Sequence, residues 1–178
     1  MKKLFYMAAA AFLISCNNKS SIADKPDEAK GTEAKVTLPF NMVYEGTPAI
    51  GKTANIATVM NFNGDFIAGK MDNIGSYLAD SVHVVFADGT EENTVRDSIV
   101  AHIKEWRELM TDAKQSYISA VAVDNKDKGD EWVFQWIDES HDYKDGKKEH
   151  NILHEDYRLV NGKIREAFQY AQAVPGKK

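Results

Sequence analysis

The 178-residue chain holds a single cysteine, which excludes an intrachain disulfide and any zinc site built on several thiolates. It also lacks a Lys/Arg cluster. With 22 basic against 27 acidic residues the formal charge is −5, a balance that disfavours nucleic acid as a partner. No hydrophobic run can span a bilayer: the apolar stretch 4–14 rises only ~16 Å as a helix, against a hydrocarbon core of ~30 Å. A phosphate loop, a dinucleotide glycine pattern and a Ser-His-Asp order are missing as well, so no cofactor is expected. What is present is 43% hydrophobic residues with 10% aromatics, enough for a packed globule that buries roughly two-thirds of its extended surface.

The N-terminus pairs Lys2 and Lys3 with that short apolar stretch, followed by Ser15 and Cys16, the layout of a signal sequence. Leu13-Ile14-Ser15-Cys16 resembles the bacterial lipobox, in which the cysteine is lipidated and becomes the mature N-terminus. The resemblance implies export and an acyl anchor at Cys16, each buried methylene adding ~0.8 kcal/mol to membrane attachment. Asn17 stands where inner-membrane lipoproteins usually carry Asp, which implies the outer membrane. Loss of 1–15 with its two lysines lowers the formal charge by two, leaving an acidic protein.

Residues 16–35 are too polar to order themselves and read as a tether; 36–49 contain Pro39 and read as an extended arm. The folded domain is expected over 50–174, with a short tail at 175–178. Within it, Ile56, Val59, Met60 and Ile67, widened by Phe62 and Phe66, predict a helix over 54–68. Asp72 is positioned to cap a short second helix, 81–86 is β-branched enough for a strand, and Asp88-Gly89 marks a turn. Thr94 and Asp97 have the spacing of a capping box, opening a long helix with Val95, Ile99, Ile103, Trp106 and Met110 on one stripe. The period then changes to two over 117–123, 132–137, 148–159 and 163–170. Turn residues at 124–129, Asp145-Gly146 and Asn161-Gly162 predict antiparallel hairpins between these strands.

Helices segregated from a meander of strands give an α+β domain. This order, with Gly69-Lys-Met-Asp72, Leu78-Ala-Asp-Ser-Val82, Val95-Arg-Asp-Ser-Ile99 and Tyr157-Arg-Leu-Val-Asn-Gly-Lys-Ile164, resembles the nuclear transport factor 2-like superfamily, in particular its SnoaL-like branch. The resemblance covers about 50–173. It implies a cone of three helices on the concave face of a strongly curved antiparallel sheet, a pocket between them, and commonly a homodimer. Ketosteroid isomerase, an enzyme of this superfamily, needs a tyrosine on the first helix and an aspartate base near the end of the first strand. Counting from Gly69-Lys-Met-Asp72 and Ala79-Asp80 places Phe62 and Phe86 there, and neither can donate or accept a proton. Asp88, two residues on, is the nearest acid, with a turn as its ordinary role.

His141, His150 and His154 invite a metal site. His150 and His154 lie on a strand, though, where four residues span ~13 Å, so they cannot share one zinc, and no metal is expected. Glu155 interrupts the apolar row Leu153, Tyr157, Leu159; with Glu166 on the next strand it is a candidate acid or base in the cavity. His102 reads as a boundary histidine, and Trp132, Phe134 and Trp136 as an aromatic row that serves as core, pocket wall or interface. Phe62, Phe66, Phe86, Trp136 and Tyr157 are the candidate pocket residues. The sequence therefore predicts a lipid-anchored envelope protein that binds a small, partly apolar or amphipathic molecule. A cofactor-free isomerase, cyclase or hydrolase using Glu155, Glu166 or Asp88 is the first alternative, and a dimerisation or scaffold module the second.

Overall fold

The computed structural model describes residues 49–125 and 128–175; the leader 1–15, Cys16, the tether, the arm through residue 48 and residues 176–178 lie outside these. Strand β1 (Ala49–Ile50) precedes helix α1 (Thr53–Ile67). After α1 come α2 (Met71–Ile74) with a 3-10 turn at Gly75–Tyr77, β2 (Leu78–Val85), β3 (Glu91–Val95) and α3 (Arg96–Glu108). The chain ends in β4 (Met110–Asn125), β5 (Asp130–Tyr143), β6 (Lys148–Val160) and β7 (Lys163–Ala173). The seven strands form one mixed sheet in the order β1-β4-β5-β6-β7-β2-β3. Among the described residues no helix is long and apolar enough to cross a membrane.

The expected meander is present and antiparallel from β4 to β7. Asn161 (φ 53°) and Gly162 (φ 72°) both adopt the left-handed region that a two-residue hairpin of matching twist requires. The sheet is not wholly antiparallel as expected, because β2 pairs with β7 in parallel, Val84 opposite Ala167. β2 enters from a helix rather than a hairpin, so nothing local dictates its direction. Two strands were not foreseen. β1 has two residues, and its neighbour Gly51 donates to the Ala122 carbonyl at 2.8 Å, so close that a Cβ there would sit 2.8 Å from the Val123 nitrogen. β3 occupies the residues expected to cap α3.

The helix starts differ from expectation. Val95 is the N-cap of α3 without a side-chain hydrogen bond, because Thr94 is held in the ladder opposite Val82. Lys70 rather than Asp72 precedes α2; Asp72 lies in its first turn. Met110 belongs to β4, not to the α3 stripe. On α1 the buried positions are Asn55, Val59, Asn63 and Phe66, while Met60 is exposed. Asn55 donates to Glu131 at 2.9 Å and Asn63 to the Tyr117 hydroxyl at 3.2 Å, which satisfies the two amides among apolar neighbours.

The core lies between α1, α3 and one face of the sheet, where Val59, Ile99, Val82, Val133, Leu159 and Ile164 are almost fully buried. Helix α1 contacts β4 and β5, and α3 contacts β2 and β4. Alternation along β5 sends Val133, Gln135, Ile137, Glu139 and His141 to this inner face. Trp132, Phe134, Trp136 and Asp138 go to the outer face.

Candidate functional site

Between α1, α3 and the inner face lies a cavity of about 80 Å³. Its apolar wall comes from Phe62 and Phe66 of α1, Val82 and Val84 of β2, and Ile99 and Ile103 of α3. The rings brace each other: Phe62 meets Tyr157 edge-on at 6.4 Å, and Phe66 stacks on Trp106 at 5.1 Å. Trp106 in turn contacts the buried His141 ring edge-on at 5.4 Å. A larger groove of about 680 Å³ shares Phe86, Ile103, Trp106, Glu139 and Gln169 with the cavity, so those residues form its mouth.

The sheet side of the cavity is polar. Gln135, Glu155 and Gln169 are cross-strand neighbours on β5, β6 and β7. Gln135 Nε2 donates to Glu155 Oε2 at 2.6 Å, the Tyr157 hydroxyl donates to the same oxygen at 3.0 Å, and Gln169 Nε2 donates to Oε1 at 2.7 Å. A second pair sits beside them. Gln115 of β4 lies opposite Glu139 of β5 and donates to its Oε2 at 2.9 Å. The other Glu139 oxygen lies 3.4 Å from His141 Nε2 without a hydrogen bond between them.

Burial decides the protonation of this floor. Glu155 is wholly enclosed, which pushes its carboxyl above the usual range, while its three donors pull it back toward the anion. Glu139 has one donor only. Burial, reinforced by the charge of Glu155, pushes it up to about 8, so at neutral pH its carboxyl keeps a proton. Tyr117 is pushed up to about 12 and Tyr157 well above its ordinary value, both chiefly by burial; both remain phenols. His141 is lowered by burial and stays neutral. The arrangement thus holds one carboxyl braced as an acceptor and one poised as a proton donor in a water-poor site, the pattern from which acid and base roles are drawn.

No protein-family profile and no curated protein matches the sequence. Solved structures do match. An LEH-like epoxide hydrolase from M. tuberculosis superposes with a TM-score of 0.58 at 11% identity, covering 67% of this chain and 84% of the other. An NTF2-like protein of unknown function from Exiguobacterium sp. 255-15 gives 0.51 at 17% identity, covering 65% and 98%. The fold is NTF2-like. AusH from Aspergillus nidulans, at 0.54 and 15% identity over 70% and 87% of the two chains, is a further neighbour. At these identities the likeness speaks for the NTF2-like fold alone.

Within this NTF2-like domain Phe62, Phe66, Phe86, Tyr157 and Glu155 line the cavity. Two expected residues do not. Trp136 lies on the outer face, 37% exposed and stacked on His154 at 4.6 Å, since β5 alternation pairs it with the other side from Gln135. Glu166 is also outside, ion-paired with Arg158 at 2.7 Å. Between Ile164 and Glu166 the β6–β7 register slips by one residue, so Ile164 and Ala167 face inward and Glu166 outward. Asp88 forms the expected turn, accepting from the Thr90 amide and hydroxyl at 2.9 and 2.7 Å, at the rim of the outer groove.

Each remaining histidine has its own acid. His150 pairs with Asp138, His154 with Asp156, His102 with Glu92 and His83 with Glu91, each at 2.8 to 2.9 Å, and Glu92 raises the His102 imidazole above its usual range. Among the described residues no group of three metal-ligating side chains forms. Trp106 is 38% exposed at the cavity mouth. Glu139, Gln115, Asn63 and Gln169 escaped the sequence reading. Extending the β5 alternation past Ile137 would have placed Glu139 and His141 on the inner face.

Proposed function

We propose that this chain is an exported lipoprotein, anchored through Cys16 and destined for the outer membrane, whose NTF2-like domain captures a small, partly apolar molecule. The observation that carries the binding role is the cavity itself: apolar walls from two helices, a floor of few and specific polar groups, and a mouth at Phe86 and Trp106 opening into a larger groove. The ligand's apolar part lies against Phe62, Phe66 and Ile103, and its polar part meets Glu139 or the amides that flank Glu155. Mass spectrometry of small molecules retained by the purified chain should find one species that is lost in Tyr157→Ala. Fatty-acid labelling should mark the chain and fail in Cys16→Ala; an unlabelled wild-type chain in the soluble fraction rules out the anchor.

A second reading, cofactor-free acid-base chemistry, is favoured by one observation, the juxtaposition of a protonated Glu139 with a second buried carboxyl, Glu155, held by three donors. Hydrolysis of an apolar epoxide, abolished in Glu139→Gln and Glu155→Gln, would establish it. Ketosteroid isomerisation is not expected, because Phe62 and Phe86 can neither donate to an enolate oxygen nor accept the proton.

A further inference from the structure

Among the described residues the cavity contains acids and no base. Its lining includes Glu139 and Glu155 but no described lysine, arginine or histidine, so a carboxylate or phosphate brought there finds no cation to offset its charge. The approach is acidic too. Asp88, Glu92, Asp145 and Glu149 line the outer groove beside Glu139, against two histidines and one lysine, Lys147, which pairs with Glu149 at 2.6 Å. Such a groove concentrates cations at its mouth. The inner walls carry Phe62, Phe66, Trp106 and Tyr157, and ring faces attract an ammonium group. One oxygen of the buried Glu139 accepts no hydrogen bond among the described residues: the residue is 7% exposed, Gln115 donates to its Oε2, and its Oε1 lies 3.4 Å from His141 Nε2.

We infer that the ligand is an organic amine with an apolar body, which enters ammonium first so that an N–H donates to Glu139 Oε1 while the hydrocarbon lies against Phe66, Phe86 and Trp106. This deepens the ligand-binding reading above and rests on it. Size restricts the amine further. The cavity, about 80 Å³, admits the ammonium group and the carbons next to it. The remainder of the body lies in the groove, which suits a linear or single-ring amine.

Binding expels a proton. An alkylamine, like a lysine side chain with a pKa of about 10.4, arrives as the ammonium ion. Glu139 gives up its proton to the buffer and becomes the carboxylate partner, while the amine keeps its own proton. Gln115 of β4, His141 of β5, and Glu149 and Glu155 of β6 are the groups that bear on this exchange, together with Arg107 of α3. The Arg107 guanidinium is committed to the Phe66 and Ile67 carbonyls at 3.0 and 3.1 Å.

Calorimetric titration of the full-length chain with hexylamine, hexanol and hexanoate, at pH 7 in two buffers of different ionisation enthalpy, tests the assignment. Hexylamine should bind at least about tenfold more tightly than hexanol, with hexanoate weakest, and release close to one proton per amine. Its affinity should rise by up to about tenfold from pH 6 to pH 7 and level off above pH 8. Glu139→Gln should abolish the proton release and reduce hexylamine to the affinity of hexanol. If that variant does not fold, the pH series on the unaltered chain decides. Hexanol or hexanoate binding as tightly as hexylamine, or amine binding without proton release, overturns the amine assignment and leaves the binding role standing. Absence of heat with all three overturns both.

Discussion

The two faces of the sheet are built by one alternation and obey opposite electrostatic rules. On the outer face charges are neutralised locally: Arg158 bridges Asp130 at 2.9 Å and Glu166 at 2.7 Å, and His150 and His154 each sit on an aspartate. Aromatics fill the gaps between them, Trp132 over Phe134 at 6.1 Å and Trp136 over His154. On the inner face Glu139 and Glu155 are buried beside neutral donors, with no cation among the described lining residues. A pair without its cation is expensive to keep inside a fold. The outer face is organised for stability at a surface, whereas the inner face keeps an electrostatic imbalance that a ligand or a reaction can resolve.

The sharpest way to break this contrast is to remove the side chain that braces the inner carboxylate. Tyr157→Ala deletes a buried ring and a donor to Glu155 together, and should lower stability by ~3 to 5 kcal/mol in chemical denaturation. The next test uses pH. The Glu139 carboxyl is raised to about 8 in the folded chain, so its contribution is fully present below the unfolded value near 4.5 and is lost as pH rises through 8. Stability should fall across that window by at most about 1.4 kcal/mol per pH unit from this group, and Glu139→Gln should flatten the fall in a denaturation series from pH 4 to 9. Trp106→Ala should cost about 1 to 2 kcal/mol, less than a fully buried tryptophan, because the ring is partly exposed and rests mainly on Phe66. On the outer face Arg158→Met should change stability by no more than ~1 kcal/mol, and Trp136→Ala should leave ligand retention unaltered. A loss of ligand in Trp136→Ala would join the two faces in one function and erase the distinction.

What could be read in advance follows the range of the interactions concerned. Helix α1, the four long strands and the Asn161-Gly162 turn are written in local periodicity and turn chemistry, and they formed in the expected order, with β4 starting seven residues before and β5 ending six residues after the predicted strands. The cap of α3 failed because β3 draws Thr94 into pairing with Val82, a long-range competition that no capping pattern reveals. Glu155 was legible as a carboxyl within an apolar row. Glu166 was misplaced because a single unpaired residue shifts the phase of β7, and alternation counted from Ile164 then gives the wrong face. Glu139 was missed for the opposite reason: its alternation was intact but ran beyond the apolar residues that make a strand visible.

The parallel contact of β2 with β7 has a consequence for how the chain reaches its native state. Leu78 pairs with Ile164, so the first long strand waits for the last one before its inner edge is satisfied. Until then only β3, five residues long, lies against β2. Closing so large a loop places the domain among the slower-folding topologies, and a chain cut short before Lys163 leaves β2 as an open template for pairing with other molecules. Self-association of nascent or truncated chains, and its relief by the complete C-terminal strand, is thus a property built into the sheet order.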